Sequence, residues 1–133
     1  IVSGGGVALL NARKVIDKIK TENADEATGS QIVFNAVEAP LRTIVTNAGG
    51  EGSVVVSKVE EGDANFGYDA KSETYVDMQE AGIIDPKKVT RVALENAASV
   101  AGMVLTTECA LVDIKEDTPA AAPPMGGGMP GMM

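Results

Sequence analysis

The chain has 133 residues, 44% of them hydrophobic but only 3% aromatic, with a net charge of −8 and a pI near 4.4. That length holds one domain at most, and its core must be built from Val, Ile, Leu, Ala and Met, a composition that favours packed helices over sandwiches or barrels. The acidic field repels phosphate backbones and anionic lipid, which argues against nucleic acid as a partner, and no apolar run approaches the ~18 residues a membrane span needs.

In chain order, Ile1-Val2-Ser3 shows no initiator Met, basic n-region or cleavage pattern, so further sequence is expected upstream. Gly4-Gly5-Gly6 then opens onto a helix predicted over 7–19, with Leu9, Ala12, Ile16 and Ile19 on one face. Arg13, Lys14, Asp17, Lys18 and Lys20 lie elsewhere around it. Asp25 or Thr28 begins a second helix, whose apolar set includes Ile32, Val33, Ala36 and Val37. Pro40 marks a junction, because proline lacks an amide donor and suits a first helical turn. A further helix then carries Leu41, Ile44, Val45 and Ala48 to Gly49-Gly50. Ser53 is placed to cap a short helix ending near Gly62, while Val54-Val55-Val56 argues for a strand, and both stay open here.

Asp85-Pro86 is the strongest local signal: a capping carboxylate directly before a proline at the first helical position. The stripe Val89, Ala93, Ala97, Val100 and Val104 predicts the longest helix, and small residues at Ala97, Ala98, Ala101 and Gly102 predict that it is the central packing element. Cys109 to Ile114 alternates like a short strand, to be paired either with the nearby stretch from Asn65 to Asp69 in a very small sheet or with another segment or chain. Phe66 and Tyr68 read as core residues of a small hairpin. From Pro119 to Met133 there is no charge and no branched aliphatic residue, only Pro, Ala, Gly and Met, a composition expected to be disordered.

The absence of histidine removes most catalytic triads, the usual neutral-pH general base and most zinc sites. Cys109 is the only cysteine, which precludes an internal disulfide, and in an apolar strand it reads as a buried inert thiol. The glycine triplet before a helix can approach a phosphate or ribose, but such short runs are more often plain turns, and it matches no phosphate-loop or dinucleotide pattern. A free-standing helical interaction module and a small nucleotide-binding enzyme are both open at this point.

The ordered set of motifs narrows this. Gly4-Gly5-Gly6-Val7-Ala8-Leu9, Glu38-Ala39-Pro40-Leu41-Arg42, Gly67-Tyr68-Asp69-Ala70, Gly82-Ile83-Ile84-Asp85-Pro86, Ala97-Ala98-Ser99-Val100-Ala101-Gly102, Thr106-Thr107-Glu108-Cys109 and the Gly-Gly-Met tail occur in one chain. Together they closely resemble the C-terminal part of GroEL-type group I chaperonins. The resemblance implies a mainly α fold, the C-terminal half of a chaperonin equatorial (ATPase) domain, a helical bundle with short β segments over residues 1–118 and a disordered Gly/Met tail over 119–133. It also implies a homo-oligomeric double ring of seven subunits each (a 14-mer), a GroES-type co-chaperonin, unfolded polypeptides as clients and a bacterial cytoplasmic setting.

For nucleotide, the resemblance implies ATP or ADP held by Gly4 and Gly5 at the triplet, Asp69, Ala70 and Lys71 in the loop after Tyr68, and Asp85, with Tyr68 and Ile83 as apolar walls. Gly5 would bring backbone close to ribose and phosphate. Asp85 would accept from ribose hydroxyls while capping its helix, and Asp69 would accept from the exocyclic amino group of adenine. The commonest bacterial pattern has Asn-Ala-Ala where this chain has Asp69-Ala70-Lys71, so the base contact departs from that pattern. The family's Gly-Asp-Gly-Thr-Thr phosphate loop, its magnesium and potassium ligands and its water-positioning aspartate all precede this chain. No residue here is therefore assigned a catalytic or metal role, and the chain by itself is expected to be inactive. The tail methionines Met125, Met129, Met132 and Met133 are expected to touch non-native chains weakly.

Overall fold

The computed structural model describes residues 1–16 and 18–114. Its elements run β1 (Val2–Ser3), α1 (Val7–Ile16), α2 (Ala24–Ala36), α3 (Ala39–Asn47), α4 (Gly52–Glu60), β2 (Phe66–Asp69), β3 (Thr74–Asp77), β4 (Ile84–Asp85) and α5 (Lys87–Leu105). Over the described residues the fold is thus mainly helical, with four short strands in two antiparallel pairs: β1 with β4, and β2 with β3. The expected tail and the domain limit at residue 118 lie outside the described residues.

The core is aliphatic, as the composition required. Val7 and Leu10 of α1, Leu41 and Val45 of α3, Val55, Val56 and Val59 of α4, and Met78 after β3 form one buried cluster. Tyr68, Tyr75 and Val76 pack against it from β2 and β3, and Ile83 from just before β4. Burying each such side chain contributes about 1.5–3 kcal/mol, so α1, α3, α4 and the hairpin form the cooperative unit.

Several expectations are corrected by this packing. Helix α1 ends at Ile16, beyond which the Lys18 and Ile19 N–H groups donate to the Val15 and Ile16 carbonyls in a tightened turn. Its buried residues are Val7 and Leu10, not Leu9, Ala12, Ile16 and Ile19. Leu9 and Ala12 border a cleft toward α5, whereas Ile16 and Ile19 border one toward α2. Asn23 caps α2, accepting from the Glu26 N–H at 2.9 Å, in place of Asp25 or Thr28. Of the apolar set on that helix and its end, only Val37 is buried; Ile32 is 62% exposed.

The Val54-Val55-Val56 triplet is helical. Glu51, rather than Ser53, caps α4, accepting from the Ser53 hydroxyl and N–H, and these bonds, the hydroxyl's first, hold its carboxyl below the usual carboxylate range. With that start, Val55, Val56 and Val59 fall on one stripe facing α3 and the hairpin. Tertiary burial at helical spacing thereby overrides the β preference of valine.

Asp85 does not cap α5. It is a residue of β4, extended opposite Val2, and Pro86 occupies the cap position with Lys87 as the first helical residue. Helix α5 is the longest at 19 residues, as expected, but none of them is buried, so it is not the central packing element of the described chain. Its stripe lies open, with Val89, Val100 and Val104 all more than half exposed. Cys109 to Ile114 forms no strand among the described residues, and β2, the nearby one of its two candidate partners, pairs with β3 instead. Without a ladder to enclose it, Cys109 is exposed rather than buried. The hairpin expectation holds in outline: Phe66 stacks on Tyr75 at 5.6 Å between ring centroids, and Tyr68 meets Tyr75 edge-on at 5.1 Å.

Candidate functional site

The glycine triplet makes the turn from β1 into α1. Gly5 has φ +63° and Gly6 φ +85°, left-handed conformations that cost an L side chain roughly 1 kcal/mol or more. Gly6 also backs onto the start of α3, where an added Cβ would lie 2.7 Å from the Leu41 nitrogen. This turn is fixed from below as well, since the buried Ser3 hydroxyl donates to Asn65 Oδ1 at 2.9 Å and Asn11 donates to the Ala64 carbonyl at 2.8 Å.

Five of the eight predicted site residues converge here. The Gly4 N–H donates to the Ile83 carbonyl at 2.9 Å, extending the β1–β4 ladder in which Val2 faces Asp85 and Ser3 faces Ile84. A Cβ on Gly5 would come within 4.0 Å of the Tyr68 carbonyl. Gly4, Gly5, Tyr68, Ile83 and Asp85 therefore surround the N-terminal end of α1, although they are distant in sequence.

The chemistry of this cluster is that of a small polar cradle. Asp85 is half-buried, and its carboxylate makes no hydrogen bond or ion pair among the described residues. Both of its oxygens are free to accept, which suits a vicinal diol. The Gly5 and Gly6 N–H groups likewise have no partner among the described residues. They sit where the helix dipole favours negative charge. Tyr68 and Ile83 are half-buried beside them. These residues fit a nucleotide's ribose and the adjoining phosphate edge.

The hairpin loop is arranged differently. Asp69 accepts from the Lys71 N–H at 2.9 Å through one oxygen and from the Ser72 hydroxyl at 2.7 Å through the other. The Ser72 hydroxyl first, then the Lys71 N–H, hold its carboxyl below the usual carboxylate range. Asp69 thus organises the turn between β2 and β3, which Glu73 closes at φ +56°. Lys71 is exposed, and no hydrogen bond among the described residues links Asp69, Ala70 or Lys71 to the glycine turn. No group of three or more Asp, Glu or Cys side chains converges as a metal site among the described residues.

The TCP-1/cpn60 chaperonin family profile matches residues 1–115. The chain belongs to the TCP-1/cpn60 chaperonin family. A solved structure of a group II chaperonin monomer in the open state, from Methanococcoides burtonii, superposes on 80% of this chain with a TM-score of 0.66 and 23% identity. At that identity the likeness shows the fold, and the chain spans 28% of that structure's chain. The mostly helical chaperonin fold with short strands matches part of a chaperonin equatorial domain.

Two features of this chaperonin segment escape a reading of the sequence. One is Met78, which lies under the glycine turn with no exposed surface. The other is Arg13, which joins Glu38 and Glu60 across three helices. Neither belongs to a local motif, and in sequence Arg13 is indistinguishable from the other charges of an amphipathic helix.

Proposed function

We propose that this chain supplies the ribose and adenine side of the ATP site in a GroEL-type group I chaperonin, a double seven-membered ring that encloses unfolded polypeptides under a GroES-type lid in the bacterial cytoplasm. The observation that carries the nucleotide reading is the convergence of the free Asp85 carboxylate with the unpartnered Gly5 and Gly6 N–H groups, locked together by the Gly4–Ile83 hydrogen bond. Asp85 receives the ribose hydroxyls, the Gly5 and Gly6 amides face the phosphate edge, and Tyr68 and Ile83 bound the base. Asp69 uses one lone pair of each oxygen on the turn, so a base contact there draws on the remaining acceptor capacity. ATP when bound supplies the phosphoryl group for hydrolysis, and its magnesium and potassium ions have their ligands outside this chain.

The test is nucleotide affinity of the whole chaperonin carrying Asp85→Ala. Losing hydrogen bonds to a charged acceptor costs about 1.5–3 kcal/mol, so the ADP dissociation constant rises roughly ten- to a hundredfold. Unchanged affinity in an assembled ring would refute the assignment. Sevenfold symmetry of the ring in electron micrographs tests the group I reading, and any other symmetry overturns it. The chain alone, lacking the phosphate side, turns over no ATP.

The open apolar stripe of α5 also fits a second reading, a helical interaction module that uses no nucleotide. Cooperative folding of the chain as a monomer indifferent to ATP would favour that module.

A further inference from the structure

Beneath the glycine turn lies Met78, buried completely and joined by its main chain to both flanks of the cluster. Its N–H donates to the Asn65 carbonyl at 2.9 Å, and its carbonyl accepts from the Ile83 N–H at 2.8 Å. Asn65 in turn accepts from Ser3, and Ile83 accepts from Gly4, so the main chain of Met78 bridges β1, β4 and the start of β2. The side chain runs between two glycines. A Cβ on Gly67 would lie 2.5 Å from Met78 Cγ and 2.6 Å from its sulfur, and a Cβ on Gly5 would lie 2.7 Å from its terminal methyl.

The stem of Met78 therefore occupies the space a side chain at 67 would need, and its tip supports the left-handed Gly5 whose N–H faces the proposed nucleotide. We propose that Met78 is a positioning residue for nucleotide: its terminal methyl sets the height of the Gly5 backbone relative to Ile83 and Asp85. This rests on the nucleotide reading of the Gly5–Asp85 cluster. Methionine suits the task because an unbranched chain reaches the turn through the narrow gap between Gly67 and Val7, whereas a branched side chain of similar volume fills the core but stops short.

The experiment uses the whole chaperonin with Met78→Leu, which keeps apolar volume while removing the atom nearest Gly5; such swaps typically cost less than about 1.5 kcal/mol of stability. Ring assembly and the melting profile are expected to be retained, the ADP dissociation constant to rise roughly threefold to tenfold, and kcat for ATP to stay within about twofold. Affinity unchanged in Met78→Leu but weakened in Asp85→Ala overturns the role of Met78 and leaves the site standing. If neither variant weakens binding, both readings fall. Should Met78→Leu fail to assemble, Gly5→Ala and Gly5→Ala with Met78→Val, which stays apolar in the buried cluster, are compared with Met78→Val. Coupled losses of affinity are expected because the shorter side chain clears the position 2.7 Å from the new methyl, and independent, multiplicative losses refute the proposal.

Discussion

Replacing Arg13 with alanine tests whether α1, α3 and α4 are held as one unit by charge as well as by the core. The Arg13 guanidinium lies 3.3 Å from Glu38, bonds Glu60 through the same nitrogen, and stands 3.9 Å over the Phe34 ring of α2. Its side chain is 12% exposed, against 22% for Glu38 and 39% for Glu60. The Glu60 pair, more than a third exposed, contributes only about 0.5 kcal/mol. The better-shielded Glu38 bond is worth about 1.5 kcal/mol and the cation–π contact about 0.5–1 kcal/mol. Against these stands Nε, buried without a partner, which costs about 1 kcal/mol and is relieved by the substitution. The net loss is about 1.5–2 kcal/mol. At a urea slope of about 2 kcal/mol/M, the unfolding midpoint followed by helical circular dichroism falls by about 0.7–1 M. Arg13→Lys, with one ammonium for two carboxylates, is expected to lose about half as much. A shift below about 0.2 M for Arg13→Ala would refute the reasoning and leave the core as the sole tie between these helices.

Other substitutions have opposite signs. Gly67→Val drives methyl groups into Met78 and Val7, each within 2.7 Å of the new Cβ, and is expected to destabilise by about 1–3 kcal/mol or more in the same urea measurement. Gly29→Ala, in the middle of α2 with open space around the new methyl, is expected to stabilise by up to about 1 kcal/mol. Asp69 has a folded-state pKa below its unfolded value, so its contribution is present above the unfolded pKa and is lost as pH falls through the folded one. Asp69→Asn should therefore flatten the acid limb of a melting profile below about pH 4 and leave the neutral region's slope unchanged; an unaltered acid limb would count against the turn's role.

The helices are legible in the sequence where burial and periodicity agree. Pro40 at the start of α3 and the apolar spacing of Leu41 and Val45 are enough to locate that helix. The failures share a cause, which is that sequence periodicity names a face without naming its neighbour. In α5 the stripe is real, yet no described element covers Val100 or Val104, so a helix read as central lies at the surface. Cys109 to Ile114 has strand character in its side chains, but a strand is a pairing, and the hairpin satisfies β2 locally through β3. In α4 the reverse happens: valines that would suit a strand become helical because Val55, Val56 and Val59 then reach the core together.

For the site, the sequence supplied residue types and the order of motifs, and the fold supplied the reason they meet. Asp85 shows the difference. A carboxylate before Pro86 has the local signature of a helix cap, and had it capped α5 part of its acceptor capacity would have gone to the first amides of that helix. Because β1 recruits Ile84 and Asp85 into a two-residue ladder, the helix starts later and the carboxylate is left without a partner beside the glycine turn. Asp69 makes the opposite exchange, with both oxygens engaged in ordering its own turn. Of the two carboxylates, the free one at Asp85 therefore carries more of the proposed nucleotide contact, the same order that the departure at Asp69-Ala70-Lys71 gives in the sequence. That asymmetry arises from strand pairing and turn hydrogen bonds, neither of which the spacing of acidic residues encodes.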